Sequence, residues 1–107
     1  DAVAIEKLFF NSNQKTAIQV AEARGVILLA AQKAGVSISE YTPLQVKQAV
    51  TGYGQAQKPQ VMEMTKRLLC LTQMPKLDDT CDALAMAICH GQAAGSMLRR
   101  TMLSGRM

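Results

Sequence analysis

The chain opens on a short apolar run, AVAI, that ends at the charged Glu6. Its β-branched Val3 and Ile5 suit a buried strand, with Glu6 at the carboxyl end. The polar stretch NSNQKT follows and offers helix caps at Asn11, Ser12 and Asn13. From Gln14 to Ala34 the positions Ala17, Val20, Ala21, Arg24, Ile27, Leu28 and Ala31 recur at three and four, which predicts a long helix. Gly35 is its natural stop. Gly25 inside it costs roughly 1 kcal/mol relative to alanine, so a close packing contact is expected there.

VSISEYT, between Gly35 and Pro43, reads as a second strand. Pro43 is placed to open a short helix, PLQVKQAV, at its first turn. TGYGQAQKPQ is a loop, and Val61, Met64, Leu68 and Leu69 mark a helix from Pro59 to about Leu71. TQMPK breaks that helix. A last helix is predicted from Asp79 to about Ala94, and SMLRRTMLSGRM is expected to trail off as a basic tail. The order strand, long helix, strand, helices is a βαβ unit with helices after it, in the α/β class, and it implies parallel pairing. Two parallel strands make a marginal sheet, so further strands are expected before Asp1, where the chain begins already in a strand. The abrupt start fits a processed or proteolytic product.

Composition changes this picture little. The 107 residues are 49% hydrophobic and 19% charged, a globular balance sized for one domain. A net charge of +4 is a mild pointer to a polyanionic partner. No apolar run approaches the ~20 residues needed to cross a bilayer, and no signal peptide is evident. Cys70, Cys81 and Cys89 lack metal-type spacing, which fits a reduced intracellular chain with the last two as small buried hydrophobes.

The chemistry must come from eight acids. Glu6 ends a strand, where catalytic groups gather in open α/β sheets. Asp79 and Asp82 are three apart at the start of the last helix, hence on one face. Carboxylates so placed repel each other unless a cation sits between them, and a hard ion such as Mg²⁺ would satisfy them. Capping is the plainer reading: Asp78 is a good N-cap, and acids in a first turn favour the helix dipole by ~0.3–1 kcal/mol each. Spacing alone favours capping, and it favours a solvated strand end for Glu6. His90 lies ~16 Å further along the axis, too far to share an ion with Asp79, and reads as a packed or surface histidine. TGYG could approach a phosphate through its backbone, which is a weak motif on two glycines. Phe9 and Phe10 leave one ring free to stack on a base, and Lys7, Lys15, Lys47 and Lys58 are placed in loops that suit phosphates.

Taken together, these segments resemble a known family. AIEKLFFNSNQKTAIQVAEARGVILLAA, EYTPLQVKQAVTGYGQAQKPQV and DDTCDALAMAICH are similar, in that order, to RuvC-type Holliday-junction resolvases from about Ala2 to His90. The resemblance implies a ribonuclease-H-like fold and a homodimeric endonuclease. Such an enzyme cuts four-way DNA junctions symmetrically in recombination and repair, in the cytoplasm and alongside a branch-migration complex. It implies a divalent-metal site, with Mg²⁺ (two ions per site, Mn²⁺ as a substitute) held by Glu6, Asp79 and Asp82 as catalytic residues. One ion would activate water and the other would stabilise the leaving oxygen. Phe9 falls on an aromatic that stacks near the junction centre, and Lys47 and Lys58 on lysines that meet the DNA backbone. The family's first catalytic aspartate belongs to a GIDPG-like strand that has no counterpart here. Residues 1–96 are therefore expected to form a resolvase domain lacking its first strands, with 97–107 as the tail, and the chain to be catalytically incomplete. A non-catalytic branched-DNA-binding or dimerisation module, and a related hydrolase acting on another nucleic acid, stay open beside this reading.

Overall fold

A computed structural model describes residues 1–7 and 14–104, with side chains placed except at Gln14 and over 96–104. Phe9 and the three candidate caps at Asn11, Ser12 and Asn13 lie outside the described residues. The elements are β1 (Ala2–Glu6), α1 (Gln14–Lys33), β2 (Ser37–Tyr41), α2 (Pro43–Thr51), α3 (Lys58–Leu68) and α4 (Asp78–Ser104). They fall into two compact units, residues 1–41 and 42–107.

In the first unit, β1 and β2 pair in parallel, from Ala2 opposite Ser37 to Glu6 opposite Tyr41. This is the βαβ unit expected from the order of elements, since parallel neighbours need a crossover and α1 supplies it. The Lys7 amide carries the ladder one step further by donating to the Tyr41 carbonyl at 2.8 Å. Of the positions that the periodicity marks out on α1, Ala17, Ala21, Arg24 and Leu28 are half-buried and Ala31 is buried, whereas Val20 and Ile27 are exposed. Gly35, at φ 69°, ends the helix in the left-handed region.

Gly25 departs from expectation. A Cβ built on it would meet nothing within 4 Å, so none of the described residues uses the close approach it permits. It belongs to a second apolar stripe instead. Ile18, Val26 and Leu29 are 69%, 69% and 56% exposed, and with Gly25 they lie within roughly 100° of one another around the helix. Two apolar faces on one helix also blur its periodicity.

The second unit is helical. The hydroxyl of Thr42 accepts from the Gln45 amide at 3.1 Å, and the Gln45 side chain accepts from the Thr42 amide at 2.7 Å. This reciprocal cap, with Pro43 at the first position, starts α2 where the sequence predicts. Gly52, at φ 80°, stops it with an amide that donates to the Gln48 carbonyl. The buried side chains Val50, Ala56, Thr65, Cys81, Ala85 and Cys89 form the core. Cys81, Ala85 and Cys89 recur every fourth residue, so α4 presents a narrow seam of small side chains to α2 and α3. Thr65 is polar and fully buried, and its hydroxyl donates back to the Val61 carbonyl at 2.7 Å.

The far end of α4 corrects the sequence reading. The helix does not stop near Ala94 but runs on to Ser104, so most of the expected tail is helical. No helix among the described residues is long and apolar enough to cross a membrane.

Candidate functional site

Glu6 ends β1 as expected, exposed, and its side chain has no hydrogen-bond or ion-pair partner among the described residues. What holds that strand end is Arg24. Its Nε donates to the Glu6 carbonyl at 3.4 Å, and its guanidinium pairs with Glu40 at 2.8 Å. With its side chain only 19% exposed, Arg24 links α1 to both strands where they end. Composition and spacing give Arg24 no chemical part, and its inward place in the helical pattern was the available signal.

Asp78, Asp79 and Asp82 stand at the start of α4. The Leu77 carbonyl accepts the first bond of the helix, from the Cys81 amide at 3.2 Å, so Asp78 is the first helical residue and not the cap. Its carboxylate is engaged elsewhere. The Lys58 ammonium lies 3.2 Å from Asp78 Oδ2 and 3.4 Å from Asp82 Oδ1, bridging two carboxylates one turn apart. Asp79, exposed between them in sequence, makes no ion pair among the described residues.

Lys58 is well placed to do this. It opens α3 just before Pro59, and the Gln57 amide donates to the Gln60 side chain at 2.9 Å, which fixes the backbone from which the lysine stem departs. Hydrogen bonding to Asp78 raises its pKa above the ordinary lysine value, desolvation opposes this, and the charges of Asp82 and Asp78 add in the upward direction. The ammonium is therefore charged throughout the neutral range. Contacts this exposed contribute little to folding stability. Their importance is positional.

Lys47 does not lie in a loop but within α2, half-buried, and its carbonyl accepts from the Thr51 hydroxyl at 2.7 Å. Lys15 is likewise helical. The glycines of TGYG have structural uses: Gly52 ends α2, and a Cβ at Gly54 would come within 2.8 Å of Leu44 Cδ1. Between them Tyr53 is exposed, its amide donating to the Thr51 hydroxyl at 3.1 Å. His90 is half-buried within α4.

Glu6 belongs to the first unit, Asp79 and Asp82 to the second. Among the described residues no three His, Cys, Asp or Glu side chains are gathered as a metal-holding group. The pair Asp79 and Asp82 still has the chemistry for a hard divalent ion: exposed carboxylate oxygens on neighbouring positions of one helix, with room for water or phosphate oxygens.

The sequence profile of the family described as crossover junction endodeoxyribonuclease RuvC matches residues 1–90. The chain is 63% identical over 93 residues to a protein of that name from Halothermothrix orenii, covering 87% of this chain and 56% of the relative. A Desulfitobacterium hafniense relative of the same name is 58% identical over 97 residues, or 91% of this chain and 59% of the relative. The chain thus spans little more than half the length of the curated relatives it matches. Among solved structures it is similar to that of Thermus thermophilus RuvC, with a TM-score of 0.81 and 41% identity over 89% of this chain and 57% of that one. It is equally similar to T. thermophilus RuvC in complex with a Holliday junction substrate, with a TM-score of 0.80 and 42% identity over 87% and 56%. The fold is accordingly the ribonuclease-H-like α/β architecture of those structures.

Proposed function

The chain belongs to the RuvC family of crossover junction endodeoxyribonucleases, and from that premise we propose that it forms part of a metal-dependent endonuclease resolving Holliday junctions. Symmetric hydrolysis of phosphodiester bonds during DNA recombination and repair is the reaction. One observation of the structure carries the proposal: the exposed carboxylates of Asp79 and Asp82 start a helix with the Lys58 ammonium beside them. Asp79, in the first turn, also favours the helix dipole, but Asp82 lies beyond that turn and Asp78 is not the cap.

In this reading Asp79 and Asp82, with Glu6 from the end of β1, hold divalent cations, Mg²⁺ in the first place and two per site, with Mn²⁺ able to substitute. A bound cation would activate water and stabilise the leaving oxygen of the phosphodiester. The chain's own groups do the rest. Asp79 and Asp82 supply hard oxygen donors on a rigid helix, and Arg24 fixes the strand end that carries Glu6. Lys47 and Lys58 neutralise backbone phosphates, and Phe9 stacks near the centre of the junction. No side-chain nucleophile is needed. Two copies of the chain act together on four-way DNA in the cytoplasm, in concert with a branch-migration complex. Residues 1–96 serve as the resolvase domain and 97–107 as an appended basic segment.

The alternative reading is a branched-DNA-binding or dimerisation module that does not cut. Both readings require junction recognition. In gel-shift titrations the 107-residue chain is expected to bind a synthetic four-way junction about tenfold more tightly than a duplex of the same sequence. Equal affinities would remove both. Cleavage in Mg²⁺, treated below, separates them.

The lysines give a second expected result. Replacing Lys47 and Lys58 together by alanine weakens junction binding and lowers the slope of log K against log salt by roughly one to two units. Binding measured across a salt series checks this. An unchanged slope places the two lysines off the path of the DNA.

A further inference from the structure

We propose that Lys58 is the resident counter-ion of the acidic helix start, and that a divalent cation must displace its ammonium from Asp82 to bind there. The inference rests on Asp82 being a cation ligand. It adds a competitor that neither the family nor the proposed reaction requires.

The geometry is asymmetric. Of the two helical carboxylates assigned to the cation, Asp82 has an ammonium at 3.4 Å and Asp79 has no ion-pair partner among the described residues. The same ammonium lies 3.2 Å from Asp78, which is not in the proposed ligand set. A Mg²⁺–oxygen contact is about 2.1 Å, so an ion on Asp82 would stand within a few ångströms of the Lys58 nitrogen. Two cations at that separation repel, and the more mobile one yields. Lysine is suited to yielding, as a compact charge on a flexible stem with three donors. Asp78 gives it somewhere to remain: the ammonium can leave Asp82 and keep its shorter contact. A backbone phosphate offers another acceptor. Drawing Lys58 onto phosphate frees Asp82, so cation and strand bind with mutual reinforcement, and by linkage the effect is the same in either order. Asp78 thereby gains a purpose that neither capping nor ligation supplies.

Mn²⁺ titration of the 107-residue chain, read from the electron paramagnetic resonance signal of free Mn²⁺, tests this. Lys58→Met is expected to tighten Mn²⁺ binding about tenfold, the scale of one close charge contact in a high-dielectric setting. Lys58→Gln, which keeps the stem and a donor, is expected to act in the same direction and guards against a variant that fails to fold. Lys66→Met removes the same charge from α3 without an ion pair to the aspartates and is expected to change binding by less than about twofold. A ten-nucleotide oligothymidylate is expected to tighten Mn²⁺ binding to the unaltered chain several-fold and to have little such effect in Lys58→Met. Unchanged or weaker Mn²⁺ binding in both Lys58 variants, with Asp82→Asn still weakening it, overturns the competition and leaves the cation reading standing. Equal tightening by Lys66→Met also overturns it, reducing Lys58 to background charge. Mn²⁺ binding indifferent to both Asp79→Asn and Asp82→Asn overturns the cation reading and this inference together.

Discussion

Asp79→Asn is expected to stop junction cleavage in Mg²⁺ while leaving junction binding, measured without divalent cation, within about twofold. The assay protein is a chimera in which residues 1–90 replace the matching segment of the Halothermothrix orenii relative. Asp79 is exposed, has no ion pair to lose among the described residues, and sits in the first turn of a helix whose core contacts are Cys81, Ala85 and Cys89. Asparagine keeps the shape and the helix start but removes the formal charge that holds a hard cation. A loss of roughly a thousandfold, about 4 kcal/mol of barrier, is expected. DNA contacts made by lysines are untouched. Retained cutting of a synthetic junction in Mg²⁺ would remove Asp79 from the site, and a parallel loss of binding would mean that the change damaged the fold. A chimera inactive without any substitution, yet still selective for junctions, would support the non-cutting module.

The second large effect concerns assembly. Ile18, Val26 and Leu29 expose an apolar stripe on α1, with Gly25 among them offering close approach to another backbone. A two-fold pairing through this stripe uses every residue twice, so each substitution counts twice. Burying a valine or leucine side chain is worth about 1.5–3 kcal/mol, and a buried unpaired carboxylate costs more. Val26→Asp with Leu29→Asp is therefore expected to raise the dimer dissociation constant by at least roughly a thousandfold. In sedimentation equilibrium the unaltered chain is expected to be dimeric at low micromolar concentration and the double variant monomeric. A clean monomer of the unaltered chain at that concentration would take α1 out of the interface.

Much of the fold was legible because local chemistry and tertiary structure agree. Pro43 starts α2, Gly35 and Gly52 end helices at positive φ, and β-branched residues mark both strands. The order of elements then requires parallel pairing. The end of α4 was not legible: Gly91 and Gly95 flank the expected stop near Ala94, and SMLRRTMLSGRM reads by its charge as a basic tail. A glycine in a helix costs only about 1 kcal/mol, and α4, packed on α2 and α3 over its earlier turns, carries both glycines through to Ser104. Gly25 failed as a packing signal for a related reason. Spacing along one chain does not say whether the neighbour belongs to that chain. In the candidate site, the aspartates were visible as a pair, but capping and ligation leave the same trace in sequence. What the structure adds is where Lys58 puts its nitrogen, a contact between residues twenty or more apart, beyond the reach of any local pattern. Arg24 escaped for the same reason.

The three thiols can serve as three clocks. Cys70 is exposed at the end of α3, held at φ 55°, and an alkylating reagent meets it without any change in the protein. Cys81 and Cys89 are buried in the seam of α4, and burial pushes the Cys89 thiol above its ordinary pKa, which starves it of the reactive thiolate. They react only when the helices part. The Cys81 thiol faces the Pro75 carbonyl ahead of α4, at 3.2 Å, while that of Cys89 faces the Gln45 carbonyl of α2, at 3.8 Å. Their labelling rates under native conditions therefore report two different openings. One is fraying at the aspartate end of α4, and the other is the parting of α4 from α2. The mass gained at each cysteine over time would tell whether the acidic turn loosens by itself or only when the whole seam gives way.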